Sequence, residues 1–514
     1  MADGDFVRER GAVQLSRPRR PTAKRRAFDL HSWFGFQLCA LFALVLVTGT
    51  LATVSNEIDW LASADFRVAP AAERAPWEDM KQSVRRAAPD QGIWWIALGP
   101  GSRYAATAVT VDAAEFRRNV RIDPGSGAVT GVDPWLNAQR FLRDLHRYLF
   151  MPSVIGLPIV SAFAFLLLYQ LYSGLRTIRG WRKAATRLRT DRGTRVAIGD
   201  LHKAAGIWVS WFLLLIAVTG IWYLAELVME ARGTPSEVPY QSMPAGWAER
   251  QGPVIRYRPL DDYVAAATSA FPGLEPRTLR LPFAPDEPVV VEGAAGDPLA
   301  RDRANEVWLD PVDARVVAVQ RSADMTALQY TTEIADPLHF GTLGGLPTKL
   351  LWFAMGVCLS GLAVTGAWLA WRRLRRTAPT PVQWLTLAPI ATIVVLGGQY
   401  VADLSREDGF AQRTALPVQA RDGYRVRPEL ERTAAGTLSG RVRVGVGTDL
   451  GGLNFAGATL AACGPAAEAA IGYAGWAAKI EATLAPAALA RCGALELVLA
   501  YRDGTRRRFS WALR

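Results

Sequence analysis

A chain of 514 residues that is 50% hydrophobic and only 21% charged, with a mean hydropathy of +0.09, is neither a disordered tail nor a coiled coil, and four Cys are too few for a disulfide-built scaffold. The balance implies membrane helices joined to sizeable polar domains. The formal charge of +12 is not a nucleic-acid footprint, because Lys and Arg cluster beside apolar runs, where they set orientation in a bilayer.

In chain order, five apolar runs approach the ~20 residues needed to cross a membrane. They are Trp33 to Val54, Tyr148 to Tyr172, Ala204 to Leu224, Leu346 to Trp371 and Val382 to Ala402, the last the least apolar. The first is too long for the apolar part of a signal peptide and is expected to be an uncleaved anchor. Eight Lys/Arg fall in the first thirty residues and eight more between Arg176 and Arg195, and Arg372, Arg373, Arg375 and Arg376 follow the fourth run. These segments alternate with the long loops, so all three are expected on the cytoplasmic side. The predicted order is a cytoplasmic leader 1–30, a span in 31–55, an outer module 56–145, a span in 146–175 and a cytoplasmic loop 176–201. Then follow a span in 202–225, an outer module 226–338, a span in 339–372, a loop 373–381, a fifth span in 382–402 and an outer domain 403–514. In a bacterium the membrane is the inner one and the outer side is the periplasm.

The outer segments read as α+β. A helix is predicted over Asp261 to Phe271, with strands at Asn119–Ile122, Pro288–Glu292 and Glu306–Leu309. The last domain reads as β-rich, with strands at Arg441–Val446 and Leu495–Tyr501 and a hairpin turn at Asp503-Gly504. Cys463 and Cys492 share that domain, and a disulfide is expected between them in an oxidising compartment. Cys39 and Cys358 lie in apolar runs and read as core.

The chain repeats itself at a spacing of 171 residues. Asp29-Leu30-His31, Gly35 and Thr48-Gly49 recur as Asp200-Leu201-His202, Gly206 and Thr219-Gly220. Asp144-Leu145-His146 recurs as Asp336-Pro337-Leu338-His339. These four His are all the His there are, and each stands at the entrance of a predicted span. His31 and His202 share one face of the membrane, and His146 and His339 share the other. A span is ~30 Å long, so only same-side imidazoles can share a ligand. Offsets of 4 and 18 return to one helical face, so Gly35, Gly49, Gly206 and Gly220 are expected to open flat slots. A porphyrin held by two axial His fits such a slot, once per side. The alternatives are weaker: interfacial polar residues would not recur so regularly, zinc wants three or four ligands, and a proton relay wants carboxylates inside the spans. Asp29, Asp144, Asp200 and Asp336 read either as helix caps or as partners of the second ring nitrogen. No nucleotide-binding fingerprint appears, so electrons must come from a partner or from the membrane.

These residues resemble the PepSY-associated transmembrane proteins. The likeness rests on Asp29 to Gly49, Arg143 to Pro158, Asp200 to Gly220 and Gly361 to Arg373, with Asp261 to Pro282 and Leu309-Asp310-Pro311 resembling a PepSY module. The resemblance implies a four-helix core binding two haems b through His31, His146, His202 and His339. It further implies periplasmic PepSY-like modules and reduction of ferric siderophores or other Fe(III) chelates for iron uptake, with a quinol or a cytoplasmic flavin reductase as donor. Residues 403–514 lie outside the pattern. The rival expectation is a non-enzymatic PepSY regulator of an envelope protease, in which the His are structural.

Overall fold

The computed structural model describes residues 22–374, 383–405 and 412–513, apart from 90, 112–116, 434 and 449. The leader up to residue 21 and Arg375 and Arg376 fall outside the described residues.

The first apolar run is broken. Helix α1 (Ala23–Gln37) and helix α2 (Cys39–Thr53) meet at Leu38 with a bend of 70°. Helix α3 (Ser55–Ala62) leads outward, and α4 (Trp77–Ala87) belongs to the outer domain. Helix α5 (Ala138–Tyr148) carries His146. The Asp59 carboxylate on α3 accepts from the Ala138 and Gln139 amides at 2.8 and 3.0 Å, which fixes where α5 starts. Leu149 and Phe150 then adopt left-handed backbone, with φ of 53° and 59°, and separate α5 from the span α6 (Ser153–Thr177). After the short α7 (Trp181–Thr186), helix α8 (Thr194–Trp208) carries His202 and stops one residue before the span α9 (Ser210–Ala231). Helix α10 (Leu260–Ala270) lies outside. Helix α11 (Ala327–Phe340) carries His339 and ends at Gly341, whose φ of 71° suits glycine and whose absent side chain leaves room for Trp352. The spans α12 (Leu346–Leu374) and α13 (Gln383–Ser405) follow.

Three helices, α6, α9 and α12, are each long and apolar enough to cross a membrane, and the bent pair α1/α2 makes a fourth if its halves count as one span; the apolar part of α13 is shorter, Ala388–Ala402. Their common core is Phe42, Leu167, Phe212, Leu213, Trp352 and Leu359, while residues such as Phe165, Leu214, Val218 and Val364 remain exposed on the lipid-facing surface. The histidines stand at the approaches to these helices, as expected, on α1, α5, α8 and α11, which directly precede α2, α6, α9 and α12.

The two outer modules are not separate. Strands β1 (Gly92–Ala97), β2 (Ala106–Val111), β3 (Arg117–Ile122) and β4 (Val129–Pro134) come from the first. After the short β5 (Val254–Ile255), strands β6 (Glu275–Arg280), β7 (Val289–Ala294), β8 (Glu306–Leu309) and β9 (Val316–Gln320) come from the second. They form one antiparallel sheet, β4-β3-β2-β1-β6-β7-β8-β9, joined where Ile96 faces Leu279. Helices α4 and α10 cover one side with Trp77, Met80, Leu260 and Tyr263. Each caps the other: Asp261 accepts from the Trp77 and Glu78 amides, both at 3.0 Å, and Glu78 accepts from the Leu260 amide at 2.9 Å.

The last domain holds β10 (Gln412–Ala415), β11 (Gln419–Arg421), β12 (Tyr424–Arg432), β13 (Leu438–Thr448), β14 (Gly452–Leu453), β15 (Phe455–Ala461), β16 (Ala467–Ala474), β17 (Ala477–Thr483), α14 (Pro486–Arg491), β18 (Ala494–Tyr501) and β19 (Arg506–Ala512). All the strands but β14 form one curled antiparallel sheet around Val442, Val444, Ile480, Leu497 and Trp511. Cys463 and Cys492 are disulfide-bonded there. The domain docks on the large sheet. Strand β14 pairs with β5, Trp476 enters the core of the large sheet, and the Asn454 amide donates to the Ala248 and Gly252 carbonyls at 2.8 and 3.0 Å.

Candidate functional site

The histidines meet in two pairs. The rings of His31 and His202 have centroids 6.5 Å apart, and those of His146 and His339 are 6.3 Å apart. A metal taking one nitrogen of each ring at ~2 Å, with about 1 Å more from nitrogen to ring centre, puts the centroids ~6 Å apart. Both pairs meet that spacing.

The other nitrogen of each ring is held. His31 Nδ1 lies 3.0 Å from the Ser173 hydroxyl, His202 Nδ1 2.9 Å from that of Thr365, and His339 Nδ1 2.8 Å from that of Thr219. Each hydroxyl spends its own proton on a carbonyl one turn back in its helix: Ser173 on Tyr169 at 2.7 Å, Thr365 on Gly361 at 2.6 Å, Thr219 on Leu215 at 2.8 Å. A hydroxyl has one proton, so toward the ring it accepts. His146 Nδ1 lies 2.9 Å from the Val45 carbonyl, which only accepts. In all four rings, then, Nδ1 carries the hydrogen and Nε2 keeps its lone pair. No described residue hydrogen-bonds Nε2.

The aspartates expected to cap or to orient these rings do neither. All four lie inside helices. Asp200 accepts from Arg189 twice at 2.8 Å, Asp336 from Tyr223 at 2.6 Å and Arg301 at 2.7 Å, Asp144 from Tyr400, and Asp29 is 3.7 Å from Arg373. Three stand two residues before their His, and residues so spaced do not face each other on a helix.

The glycines also sort differently from the expectation. A Cβ on Gly49 would stand 2.6 Å from the His146 ring, not near His31, because the break at Leu38 ends the straight helix that an offset of 18 assumes. His31 and His202 are instead approached by Gly174 and Gly366, at 3.3 and 3.1 Å from the ring. Gly35 and Gly206 line the inner cavity, and Gly220 the outer one. Ser173-Gly174 and Thr365-Gly366 are the partners that the repeat did not disclose. Their only sequence signal is the Ser/Thr-Gly pair they share with Thr48-Gly49 and Thr219-Gly220.

A cavity of about 930 Å³ runs beside His31 and His202. Two more, of about 840 and 460 Å³, flank His146 and His339 on either side of the ring pair. Leu46 lines all three, and Phe42 and Leu167 line both the first and the second, so a thin apolar wall separates the inner and outer chambers. Arg143 and Arg147 open onto the outer chamber, and Lys203 onto the inner. Burial and then the neighbouring Arg147 hold Arg143 below the ordinary arginine range, with Asp336 opposing. Among the described residues no three His, Cys, Asp or Glu side chains converge as a metal site. Two nitrogen ligands, a largely apolar chamber and basic groups at its rim fit a porphyrin better than a bare ion.

The description of the PepSY-associated TM region matches residues 28–373. An uncharacterised protein of Pseudomonas aeruginosa is 30% identical over 259 residues, which make up 46% of this chain and 64% of that protein, so the match spans under two thirds of that relative. The four histidines, the spans that hold them and the large sheet all fall in the matched region, and the chain belongs to the PepSY-associated transmembrane family.

Proposed function

We propose that this chain is an inner-membrane electron-transfer protein, with its N-terminus cytoplasmic, that binds two haems b and reduces Fe(III)-siderophores or other ferric chelates on the periplasmic face for iron uptake. The supporting observation is the uniform state of the four rings: each Nδ1–H is engaged and no described residue hydrogen-bonds Nε2, in two pairs spaced for one metal each. Haem bound there supplies one-electron exchange. The chain's residues do the rest. His31 and His202 hold the inner group, and His146 and His339 the outer. Ser173, Thr365, Thr219 and the Val45 carbonyl keep the rings in the ligating tautomer and orientation. Phe42, Leu46 and Leu167 exclude water between the chambers while keeping them close. Arg143, Arg147 and Lys203 neutralise carboxylates at the chamber rims. Reduction frees the metal because hard oxygen donors hold Fe(II) weakly.

The test is the haem content per chain and the reduced-minus-oxidised spectrum of the purified protein. A red protein with a b-type spectrum that oxidises on adding a ferric chelate supports the reading. A colourless protein from cells supplied with haem sinks it and favours a non-enzymatic regulator.

A further inference from the structure

On the inner side a second cavity, of about 840 Å³, adjoins the His31/His202 chamber and shares Thr177, Ile178 and Lys203 with it. Its other walls are Arg179, Lys183, Ala184, Arg187, Arg189 and Asp200. Five basic side chains thus converge on one opening. Asp200 is already committed to Arg189, at 2.8 Å, and to Lys203, at 3.6 Å. Arg179, Lys183 and Arg187 have no ion-pair partner among the described residues. The hollow is lined from α7 and α8, which the Trp208 indole links by donating to the Ala185 carbonyl at 3.0 Å, and Arg179, Lys183 and Arg187 are exposed at its mouth. Orienting a membrane protein needs positive charge on this side, but not its convergence on a hollow beside a redox chamber.

We propose that this cavity binds the phosphate of a soluble reduced flavin nucleotide, the donor that loads the inner redox centre. The proposal rests on the di-haem reading above. Arg179, Lys183 and Arg187 would take the phosphate dianion by charge-assisted hydrogen bonds, while the ring system lies toward Thr177, Ile178 and Lys203. Reduced flavin mononucleotide loses two electrons and two protons. With haem held by His31 and His202, the two electrons would be taken up one at a time there and delivered, by way of the group that His146 and His339 would hold, to two equivalents of ferric chelate. The protons go to water, and oxidised flavin mononucleotide leaves. An anionic lipid headgroup carries the same phosphate chemistry and is the competing occupant.

The experiment uses the full chain in phosphatidylcholine nanodiscs. Binding of flavin mononucleotide and of riboflavin, which lacks only the phosphate, is read from flavin fluorescence. The nucleotide is expected to bind about tenfold more tightly or better. The triple variant Arg179→Gln/Lys183→Gln/Arg187→Gln should lose this preference and keep its riboflavin affinity, its haem content and its reduction by dithionite. In stopped flow, the photoreduced nucleotide should reduce the wild-type haem faster than photoreduced riboflavin, and the variant should not distinguish them. Equal binding of the two flavins by the wild type overturns the proposal. So does a phosphate preference that vanishes in phosphatidylglycerol nanodiscs, which would assign the cavity to a lipid headgroup. Flavin binding needs no haem: a protein that prefers the nucleotide but holds no haem sinks the di-haem reading alone, and a haem-replete protein blind to phosphate sinks this proposal alone.

Discussion

The inner and outer histidine pairs solve one problem by different means. At the inner pair both rings lean on hydroxyls of membrane-crossing helices, Ser173 on α6 and Thr365 on α12. At the outer pair His339 leans on Thr219, but His146 leans on the Val45 carbonyl, and the corresponding Thr48 hydroxyl turns back to the Leu44 and Val45 carbonyls at 2.7 and 3.1 Å. What repeats is thus an acceptor at Nδ1 and room beside the ring, not one side chain. The pairs differ again in their surroundings. The outer pair is wired to the large domain: the Tyr223 ring packs against His339 at 5.3 Å and donates to Asp336, which pairs with Arg301, which pairs with Glu333 at 2.8 Å. The inner pair borders an open cationic hollow.

The heaviest blow to this comparison would come from the ligands themselves. His31→Ala and His202→Ala are each expected to remove the same part of the haem absorbance, about half, and His146→Ala and His339→Ala the other half. Loss of one common band in His31→Ala and His146→Ala would break the same-side pairing.

Space beside the rings ranks next. In Gly49→Ala the new methyl meets His146 at 2.6 Å, and overpacking of this kind costs ~1–3 kcal/mol. The outer haem should be lost or its spectrum shifted, and the melting temperature lowered. Gly206→Ala meets nothing within 4 Å and should melt like the wild type; equal damage from both would refute the close approach of Gly49 to His146.

Removing a hydroxyl sharpens the contrast between the two kinds of acceptor. Thr365→Val leaves the His202 Nδ1–H without a partner and should weaken inner haem binding about 10- to 100-fold, read by haem transfer to apomyoglobin. Thr48→Val should leave outer binding unchanged, because the Val45 carbonyl remains. A loss in Thr48→Val as large as that in Thr365→Val would mean the carbonyl is not the acceptor.

The effect farthest from the histidines concerns pH. Arg280 faces two buried carboxylates on neighbouring strands, Glu292 at 2.6 Å and Glu306 at 2.8 Å. Burial, opposed by Arg280 but helped by Glu292, pushes the Glu306 carboxyl up to about 8 from an ordinary 4.5. Folding therefore takes up a proton. The stabilisation is complete below pH ~4.5 and is lost as pH rises through about 8, at up to about 1.4 kcal/mol per unit. The melting temperature of the outer domain should fall between pH 6 and pH 8, and Glu306→Gln should flatten that slope. An unchanged slope would show that another group carries it.

Much of the site was legible because duplication leaves an imprint on the chain. His31 and His202, and His146 and His339, recur with their neighbours, and the Arg-rich segments sort them by side. The helix near Asp261 and the strands near Glu306 and Leu495 fall where polarity alternates and turns intervene, since those signals are local. The partners of the rings were not legible. Ser173 and Thr365 are 142 and 163 residues from the histidines they hold, and helical periodicity reports which face a residue occupies, not what stands opposite. The nearby aspartates misled for the same reason: Asp200 is two residues from His202 in sequence, yet their side chains leave the helix in different directions.

By itself, then, the sequence determined the apolar helices, the duplicated histidines and the strand-rich end, because each follows from composition or period along the chain. Only the tertiary structure decided that α1 and α2 break at Leu38, and that the two outer modules share one sheet through Ile96 and Leu279. It alone brought β14 onto β5, and it alone decided that serine and threonine rather than aspartate orient the rings. Those outcomes depend on which surfaces meet across space, where backbone hydrogen bonds and packing are completed by residues far apart in the chain.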